Sequence, residues 1–370
     1  MRVLHCIPSM AGGGTERQLT YLVRELVREG SDVHVALNQP GPNLAALGTS
    51  GATIHQLGPL SNYDPRIFLR LRRIIRTVTP DVCQCWLLQM ELLGGLGSML
   101  NGVPWIFSER SSAPAYPPTL KNALRIRVAS RADAIISNSA AGDEYWQTRV
   151  PKSVPRYVIP NGLPLNQIAA TPAASDIEAD TAPGVALVLW AGRLDAGKNA
   201  QSLIRALSLL PSTVRFRAIL CGEGPERTAL ESLVAELRLG DRIRIAGYVP
   251  NLWNLMKRAS VLVSVSRFEG SPNVVLEAMA GGCPLIVSDI AAHRELLDEA
   301  SALFTPTDDV VMLASRIENA IVDREGARRR AEAARLRVEP FGVGRIAARY
   351  LDIYRDVVSR RRRPSPPVTL

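Results

Sequence analysis

The feature that most limits how this chain can fold is a repeating rhythm. A short apolar run ends in small or polar residues, a stretch with apolar positions at helical spacing follows, and another short run closes the unit. "RVLHCIP" leads into "TERQLTYLVRELVREG" and then "DVHVAL", a strand, helix and strand in which Gly30 stops the helix. "VPWIFSE", "ADAIISNS" and "RYVIPNG" carry the pattern on. This alternation predicts an α/β fold, with a parallel sheet covered by helices on both faces.

A break in composition then splits the chain. Residues 166–184, "NQIAATPAASDIEADTAPG", lack large apolar residues at either period and read as an irregular linker. The rhythm restarts with "VALVLWAG", "NAQSLIRALSLL", "RFRAILCG", "ERTALESLVAELRLG", "RIRIAGYV", "NLWNLMKRA" and "VLVSVS". A chain of 370 residues exceeds what one core usually serves, so two Rossmann-like domains are expected, at 1–165 and 185–340. "FGVGRIAARYLDIYRDVV" predicts a last helix over 341–358, and the arginine- and proline-rich residues 359–370 read as a disordered basic tail.

Several classes of protein are disfavoured at once. No apolar run reaches the 18 residues of a membrane span, and "LLQMELLGGLGSML" reads as a core segment. The N-terminus resembles a first buried strand rather than a secretory signal, so a cytoplasmic location is expected. Five cysteines without CxxC spacing and four histidines without HxH or HExxH spacing predict reduced, buried thiols and no protein-built metal site. The net charge of +9 is concentrated in the first 165 residues, which hold 17 Arg and Lys against 11 Asp and Glu. In "DPRIFLRLRRIIRTVTP", Ile67, Leu71, Ile74 and Ile75 recur at helical spacing while Arg66, Arg70, Arg72, Arg73 and Arg76 fill the other positions. A solvated helix surface accounts for this charge, and so does attraction to an anionic membrane face. No aromatic interleaving supports nucleic acid.

In open parallel sheets, ligands bind beyond the carboxyl ends of the strands, so the chemistry is sought there. In "SRFEGSPNVVLEAMAGG", Ser271 as cap and Pro272 at the first position predict a helix start, with Val274, Leu276, Met279 and Ala280 able to face the core. Asn273 and Glu277 then lie four apart on one face. A nucleoside diphosphate satisfies this geometry, with its phosphate at the open N–H groups and its ribose hydroxyls at Glu277. Glu269, just before the helix, would face a sugar. A solvated face with two glutamates, or the carboxylate pair of a glycoside hydrolase, also fits this stretch alone. "WAGRLDAGKNAQSL" decides for the nucleotide. Its Arg193 and Lys198 follow a strand, Gly192 allows close backbone approach, and Asn199 can cap the next helix. Two fixed cations suit a departing diphosphate. Gly222 and Gly224 in "CGEGP" bring backbone to the same edge, and the backbone around Tyr248 in "IAGYVPN" is placed for a nucleobase.

Taken together, "GGGTERQLTYLVREL", "AGRLDAGKN", "CGEGP", "AGYVPNLWNLM" and "VSVSRFEGSPNVVLEAMAGGCPLIVSD" resemble the retaining GT-B glycosyltransferases of family 4, also called glycosyl transferases group 1. The resemblance spans Arg2 to about Val358. It implies two Rossmann-like domains facing across a cleft, the first for the acceptor and the second for a nucleotide-sugar, with the last helix crossing back to the first domain. It also implies sugar transfer with retained anomeric configuration, no cofactor, no metal and no Asp-x-Asp motif. Carried over by position, Arg193 and Lys198 match the diphosphate ligands, Glu277 the ribose ligand and Glu269 the carboxylate beside the sugar. Gly270, Ser271, Pro272, Asn273 and Val274 match the backbone cradle, and Gly12, Gly13 and Gly14 the N-terminal glycine loop. The chain departs from the family where many members carry a histidine, since its strand ends "IFSERSSAP" and places Glu109 and Arg110 on the acceptor side. The acceptor expected is a glycan or lipid-linked glycan in bacterial surface-polysaccharide synthesis, with UDP favoured over GDP in the donor and an anionic membrane face as a further partner. A nucleotide-sugar epimerase or a non-catalytic binding subunit would share the donor site. A dinucleotide dehydrogenase would need GxGxxG spacing that "SMAGGGTER" lacks.

Overall fold

The computed structural model describes residues 1–58, 61, 64–173, 184–250 and 252–362. It divides into two compact units, Met1–Leu163 with the chain from Phe341 onward, and Pro164–Pro340.

The first unit carries β1 (Arg2–Ser9), α1 (Gly14–Arg28), β2 (Asp32–Gln39), α2 (Leu44–Gly48), β3 (Thr53–Gln56), α3 (Arg66–Val78), β4 (Val82–Trp86), α4 (Leu87–Leu100), β5 (Trp105–Glu109), α5 (Leu120–Ala129), β6 (Ala134–Ser137), α6 (Ala140–Gln147) and β7 (Arg156–Val158). Its seven strands are parallel, in the order β3-β2-β1-β4-β5-β6-β7. Both sheet faces are covered, one by α1 and the other by α3, α4 and the aromatic pair Trp105 and Trp146. Gly94 and Gly95 let α4 lie against Cys85 and the Trp105 ring. The cysteines are free and buried.

The second unit carries α7 (Leu165–Ala170), β8 (Ala186–Ala191), α8 (Ala200–Ser208), β9 (Phe216–Cys221), α9 (Arg227–Glu236), β10 (Ile243–Gly247), α10 (Leu252–Arg258), β11 (Val261–Ser264), α11 (Asn273–Gly281), β12 (Leu285–Ser288), α12 (Ala291–Arg294), β13 (Leu303–Thr305), α13 (Val310–Val322) and α14 (Arg324–Leu336). Its sheet is also parallel, in the order β10-β9-β8-β11-β12-β13. The order reverses between β8 and β11, and that switch point is where such sheets open a crevice at their carboxyl ends. Last comes α15 (Val343–Arg362), which returns to the first unit and buries Ile346, Ala347, Tyr350, Tyr354 and Val357 in its core.

Three expectations about chain organisation need correction. The stretch from residue 166 is not irregular from its start, because α7 packs on α11 and Lys257 Nζ bonds the carbonyl oxygens of Ala169 and Thr171 near the end of α7. The second unit therefore begins at Pro164, and the rest of the expected linker, 174–183, lies outside the described residues. The last helix does not stop at 358. Ser359–Arg362 continue it, since Arg360 pairs with Asp356 and Arg361 with Asp133, and each arginine gains a carboxylate by staying helical. The expected tail beyond 362 lies outside the described residues. Among the described residues, no helix is long and apolar enough to cross a membrane.

Candidate functional site

The switch point brings the motif residues of the second unit together. Arg193 and Lys198 lie in the loop after β8, and Glu269 in the loop after β11, the two strands that flank the reversal. Lys198 Nζ forms an ion pair with Glu269 Oε1 across 71 residues of sequence. Two further contacts hold the loops together. Arg267 donates its backbone N–H to the Gly197 carbonyl at 2.8 Å and Nη1 to the Ala196 carbonyl at 2.7 Å. Within its own loop, Lys198 donates its backbone N–H to Asp195 Oδ1 at 3.1 Å, which closes a turn behind the ammonium group.

Exposure separates the two cations. The Arg193 side chain is 72% exposed, with Asp195 Oδ2 at 3.7 Å, so its charge is free to meet an incoming anion. Lys198 is 30% exposed and Glu269 9%, and each already has the other. Glu269 Oε1 also accepts from Ser266 Oγ at 2.8 Å. Among the described residues, no cluster of three or more His, Cys, Asp or Glu side chains could hold a metal ion.

The helix at the site begins one residue later than the sequence suggests. Asn273 is its first residue and Pro272 the cap, with the Pro272 carbonyl accepting from Val275 and Leu276 at 3.1 Å. Gly270 and Pro272 are buried, while Ser271, Asn273 and Val274 are half-buried around the first turn. The core face of α11 is Val275, Leu276, Ala278 and Met279 rather than one containing Val274 and Ala280, which stay half-buried. Glu277 is only 1% exposed, one turn along. Asn199 occupies the cap position of α8 in a left-handed conformation, but its side chain caps no helix amide. Instead it donates to the Thr307 carbonyl and accepts from Ser202 Oγ.

The strand-end glycines interlock. Gly222 donates its N–H to the Gly247 carbonyl at 2.6 Å, and Gly192 donates to the Cys221 carbonyl at 3.0 Å. Gly222 has φ of +148°, and a Cβ there would collide with the Gly192 carbonyl oxygen. A Cβ on Gly224 would strike the Leu194 backbone in the same way. Tyr248 stands exposed just past β10.

In the first unit, Gly13 caps α1, and Gly12 and Gly14 flank it. The Glu16 side chain folds back over Gly13, and burial raises its pKa above the usual carboxylate value. A carboxylate therefore already sits at that helix start. Glu109 does not face an acceptor, contrary to its expected place. It is fully buried and accepts from Arg125 Nη2 at 3.0 Å, Trp146 Nε1 at 2.9 Å, the Ser111 N–H at 2.8 Å and the Tyr116 hydroxyl at 2.5 Å. Arg110 turns the other way. Its guanidinium stacks on Trp86 at 5.1 Å, donates to Asn161 Oδ1 and lines a recess with Gln18, Tyr21 and Tyr350. Burial lowers its pKa. Sequence reasoning missed Ser266, Arg267 and Asp195; only the three-residue spacing of Ser266 from Glu269 was there to be read.

Two parallel-stranded Rossmann-like units, the second with the Lys198–Glu269 ion pair at its switch point, are the architecture of the GT-B class. A family model described as Glycosyl transferases group 1 matches residues 177–337, and one described as Glycosyltransferase Family 4 matches residues 12–167. The chain belongs to this glycosyltransferase family. It is 27% identical over 368 residues to the lipopolysaccharide core biosynthesis glycosyltransferase LpsD of Rhizobium meliloti, covering 98% of this chain and 100% of that protein. It is 24% identical over 368 residues to a Campylobacter jejuni enzyme, with 96% and 99% covered. That enzyme is named GalNAc-alpha-(1->4)-GalNAc-alpha-(1->3)-diNAcBac-PP-undecaprenol alpha-1,4-N-acetyl-D-galactosaminyltransferase. The fold matches the crystal structure of Anabaena HepE in complex with UDP-glucose at a TM-score of 0.83 and 20% identity, covering 96% of this chain and all of that one.

Proposed function

We propose that this protein is a retaining, metal-independent glycosyltransferase that needs no cofactor. It would move a hexose or N-acetylhexosamine from a nucleoside-diphosphate sugar to a hydroxyl of a glycan or lipid-linked glycan in bacterial surface-polysaccharide synthesis. The observation that carries this reading is the Lys198–Glu269 pair at the switch point, with Glu269 in the loop that leads to the start of α11 and Arg193 exposed in the loop after β8. The diphosphate meets Arg193, Lys198 and the 270–274 segment, whose N–H donors exclude Pro272, the ribose meets Glu277, and Tyr248 lies toward the base. UDP is favoured over GDP because HepE, which shares the fold, was crystallised with UDP and UDP-glucose. The LPS-core and diphospho-undecaprenol names of the two relatives support the acceptor class.

Retention follows when the acceptor attacks from the face the nucleotide leaves and the leaving phosphate oxygen takes its proton. A covalent route through Glu269 is disfavoured, since its Oε1 already accepts from Lys198 and Ser266, which withdraws electron density from a nucleophile. On the acceptor side, Arg110 offers a guanidinium in a recess to an anionic acceptor group. The test is thermal stability with EDTA present. At about 100 times its dissociation constant, UDP should raise the midpoint by roughly 5–10 °C, with GDP, ADP and NAD giving less and Glu277→Gln abolishing the effect. No shift with any nucleoside diphosphate would sink the reading.

The location proposed is the cytoplasm, peripheral on the inner membrane face. It is supported by α3 and α5, both of which pack on α4. They expose Leu69, Leu120 and Leu124 among Arg72, Arg73, Arg76, Lys121 and Arg127. Sedimentation with phosphatidylglycerol vesicles should show binding at low salt that is lost at high salt and in Arg72→Glu/Arg73→Glu/Arg76→Glu. No sedimentation with phosphatidylglycerol vesicles at low salt would remove the membrane from the account, and equal sedimentation with neutral vesicles would remove the role of the arginines.

A further inference from the structure

Behind Glu269 runs a line of buried side chains that its own motif does not contain. Ser266 Oγ donates to Glu269 Oε1 at 2.8 Å. Ser288, at the end of β12, donates its Oγ–H to the Ser266 carbonyl at 2.6 Å. His293, on α12, places Nδ1 2.8 Å from the Ser288 carbonyl and 3.3 Å from Ser288 Oγ. All three side chains are buried, Ser288 and His293 completely. The topology explains the meeting: β11 and β12 pair with Ser264 opposite Val287, so the segments that leave them run side by side past the sheet edge.

The direction of every proton in this line follows from the partners. A carbonyl only accepts, so the His293 nitrogen beside it, Nδ1, carries the hydrogen. The single Ser288 hydroxyl proton goes to the Ser266 backbone carbonyl, so Ser288 Oγ can only accept from His293. The Ser266 hydroxyl proton goes to Glu269. The line acts by position rather than as one hydrogen-bond chain, because the Ser266 carbonyl accepts from Ser288 while the separate Ser266 hydroxyl donates to Glu269, so Ser288 and His293 hold the residue that holds the carboxylate. That leaves His293 Nε2 as the basic nitrogen, buried and with no hydrogen-bond partner among the described residues. Burial lowers the His293 pKa, which keeps the ring neutral, while the Ser288 carbonyl and Glu269 pull it up and Lys198 pushes it down.

We propose that His293, Ser288 and Ser266 are positioning residues for glycosyl transfer, a relay that fixes the Glu269 carboxylate against Lys198 in the orientation the donor sugar requires. The relay rests on the reading of Glu269 as the carboxylate beside that sugar. None of the three touches the reacting atoms. Their effect is on where Glu269 stands, and a misplacement of about 1 Å at such a site costs on the order of a hundredfold in rate.

Two measurements test it on the full chain. Nitrogen NMR of the wild-type histidines should show His293 as the Nδ1–H tautomer with a free Nε2; an Nε2–H tautomer overturns the relay whatever the activity. UDP release from UDP-glucose or UDP-N-acetylglucosamine, whichever turns over, should fall about 10- to 100-fold in kcat for Ser266→Ala and His293→Leu. KM should stay within about threefold and the UDP dissociation constant within about twofold. Ser266→Thr, which keeps the hydroxyl, and His293→Asn, which keeps a donor at the δ position, should restore most of the rate. Because the elements act in series, the double variant Ser266→Ala/His293→Leu should be no slower than Ser266→Ala alone. Multiplying losses, no rescue by threonine, or loss traced to weaker UDP binding would overturn the proposal. Failure of the wild type to bind UDP would instead overturn the donor-site reading, and normal UDP binding with unaltered turnover in Ser266→Ala overturns the relay alone.

Discussion

Replacing Lys198 by alanine should lower kcat for UDP release about 100- to 1,000-fold, measured with EDTA present, while Arg193→Ala costs less in kcat and more in donor affinity. The asymmetry comes from what surrounds each cation. Among the described residues Arg193 has Asp195 as its ion-pair partner, at 3.7 Å, and it is largely in water, so an attraction to a bound diphosphate would be screened and present before and after bond breaking alike. Lys198 is partly enclosed and fixed by the Glu269 ion pair and the Asp195 turn. A fixed cation beside the leaving oxygen stabilises charge that grows only in the transition state, and that difference appears in kcat. Losing Lys198 also leaves Glu269 with its Ser266 bond but without its countercharge. The two residues act as a unit, so Lys198→Ala/Glu269→Gln should lose much less than the product of the single losses. A Lys198→Ala enzyme within threefold of the wild type would show that the ion pair is only structural.

What the sequence reveals here follows from which interactions are local. The parallel sheets are legible because strands such as "VALVLWAG" are buried on both faces and must be apolar throughout. Arg193, Lys198, Glu269 and Glu277 are legible as a set because each sits just past a strand or on the helix that follows one. That Lys198 grips Glu269 is not legible, because the contact depends on β8 and β11 being neighbours, and strand order is set by packing across the whole unit. Glu109 shows the opposite failure. It also follows the rule of ending a strand, yet its carboxylate turns inward to Arg125, 16 residues on, and nothing within a few residues signals that partner. Arg360 and Arg361 read as solvated tail by composition. Their helical state depends on Asp356 and Asp133, and Asp133 is 228 residues away.

The largest effect on stability is expected at Arg125, a cation on α5 that is buried. Its Nε donates to Glu91 Oε2 at 2.7 Å and its Nη2 to Glu109 Oε2 at 3.0 Å, with all three side chains at most 3% exposed. The guanidinium also lies against the rings of Tyr116, Phe107 and Trp146, at 4.3, 4.7 and 4.9 Å. Burial opposes its charge, and Glu91 and Glu109 together outweigh that, holding its pKa above the usual value. For Glu91 the balance is reversed: burial outweighs its share of the guanidinium and raises its pKa from 4.5 to about 7. Arg125→Leu would strand two carboxylates in the core, so a loss of about 3–5 kcal/mol and a fall in melting temperature of roughly 10 °C or more are expected. The sign of the pH dependence follows from the raised carboxyl. A folded-state pKa above the unfolded one stabilises fully below about 4.5, and that share is lost as pH rises through about 7. Without Arg125, Glu91 would resist ionisation further, so the variant should lose more at pH 8 than at pH 5, where the carboxyl can be protonated. Glu91→Gln keeps an acceptor for Arg125 and removes the titration, so it should flatten the stability profile between those two pKa values. Calorimetry of the three proteins at pH 5 and pH 8 checks both claims, and an Arg125→Leu penalty that does not grow with pH would mean Glu91 is ionised throughout and the guanidinium is not what holds it.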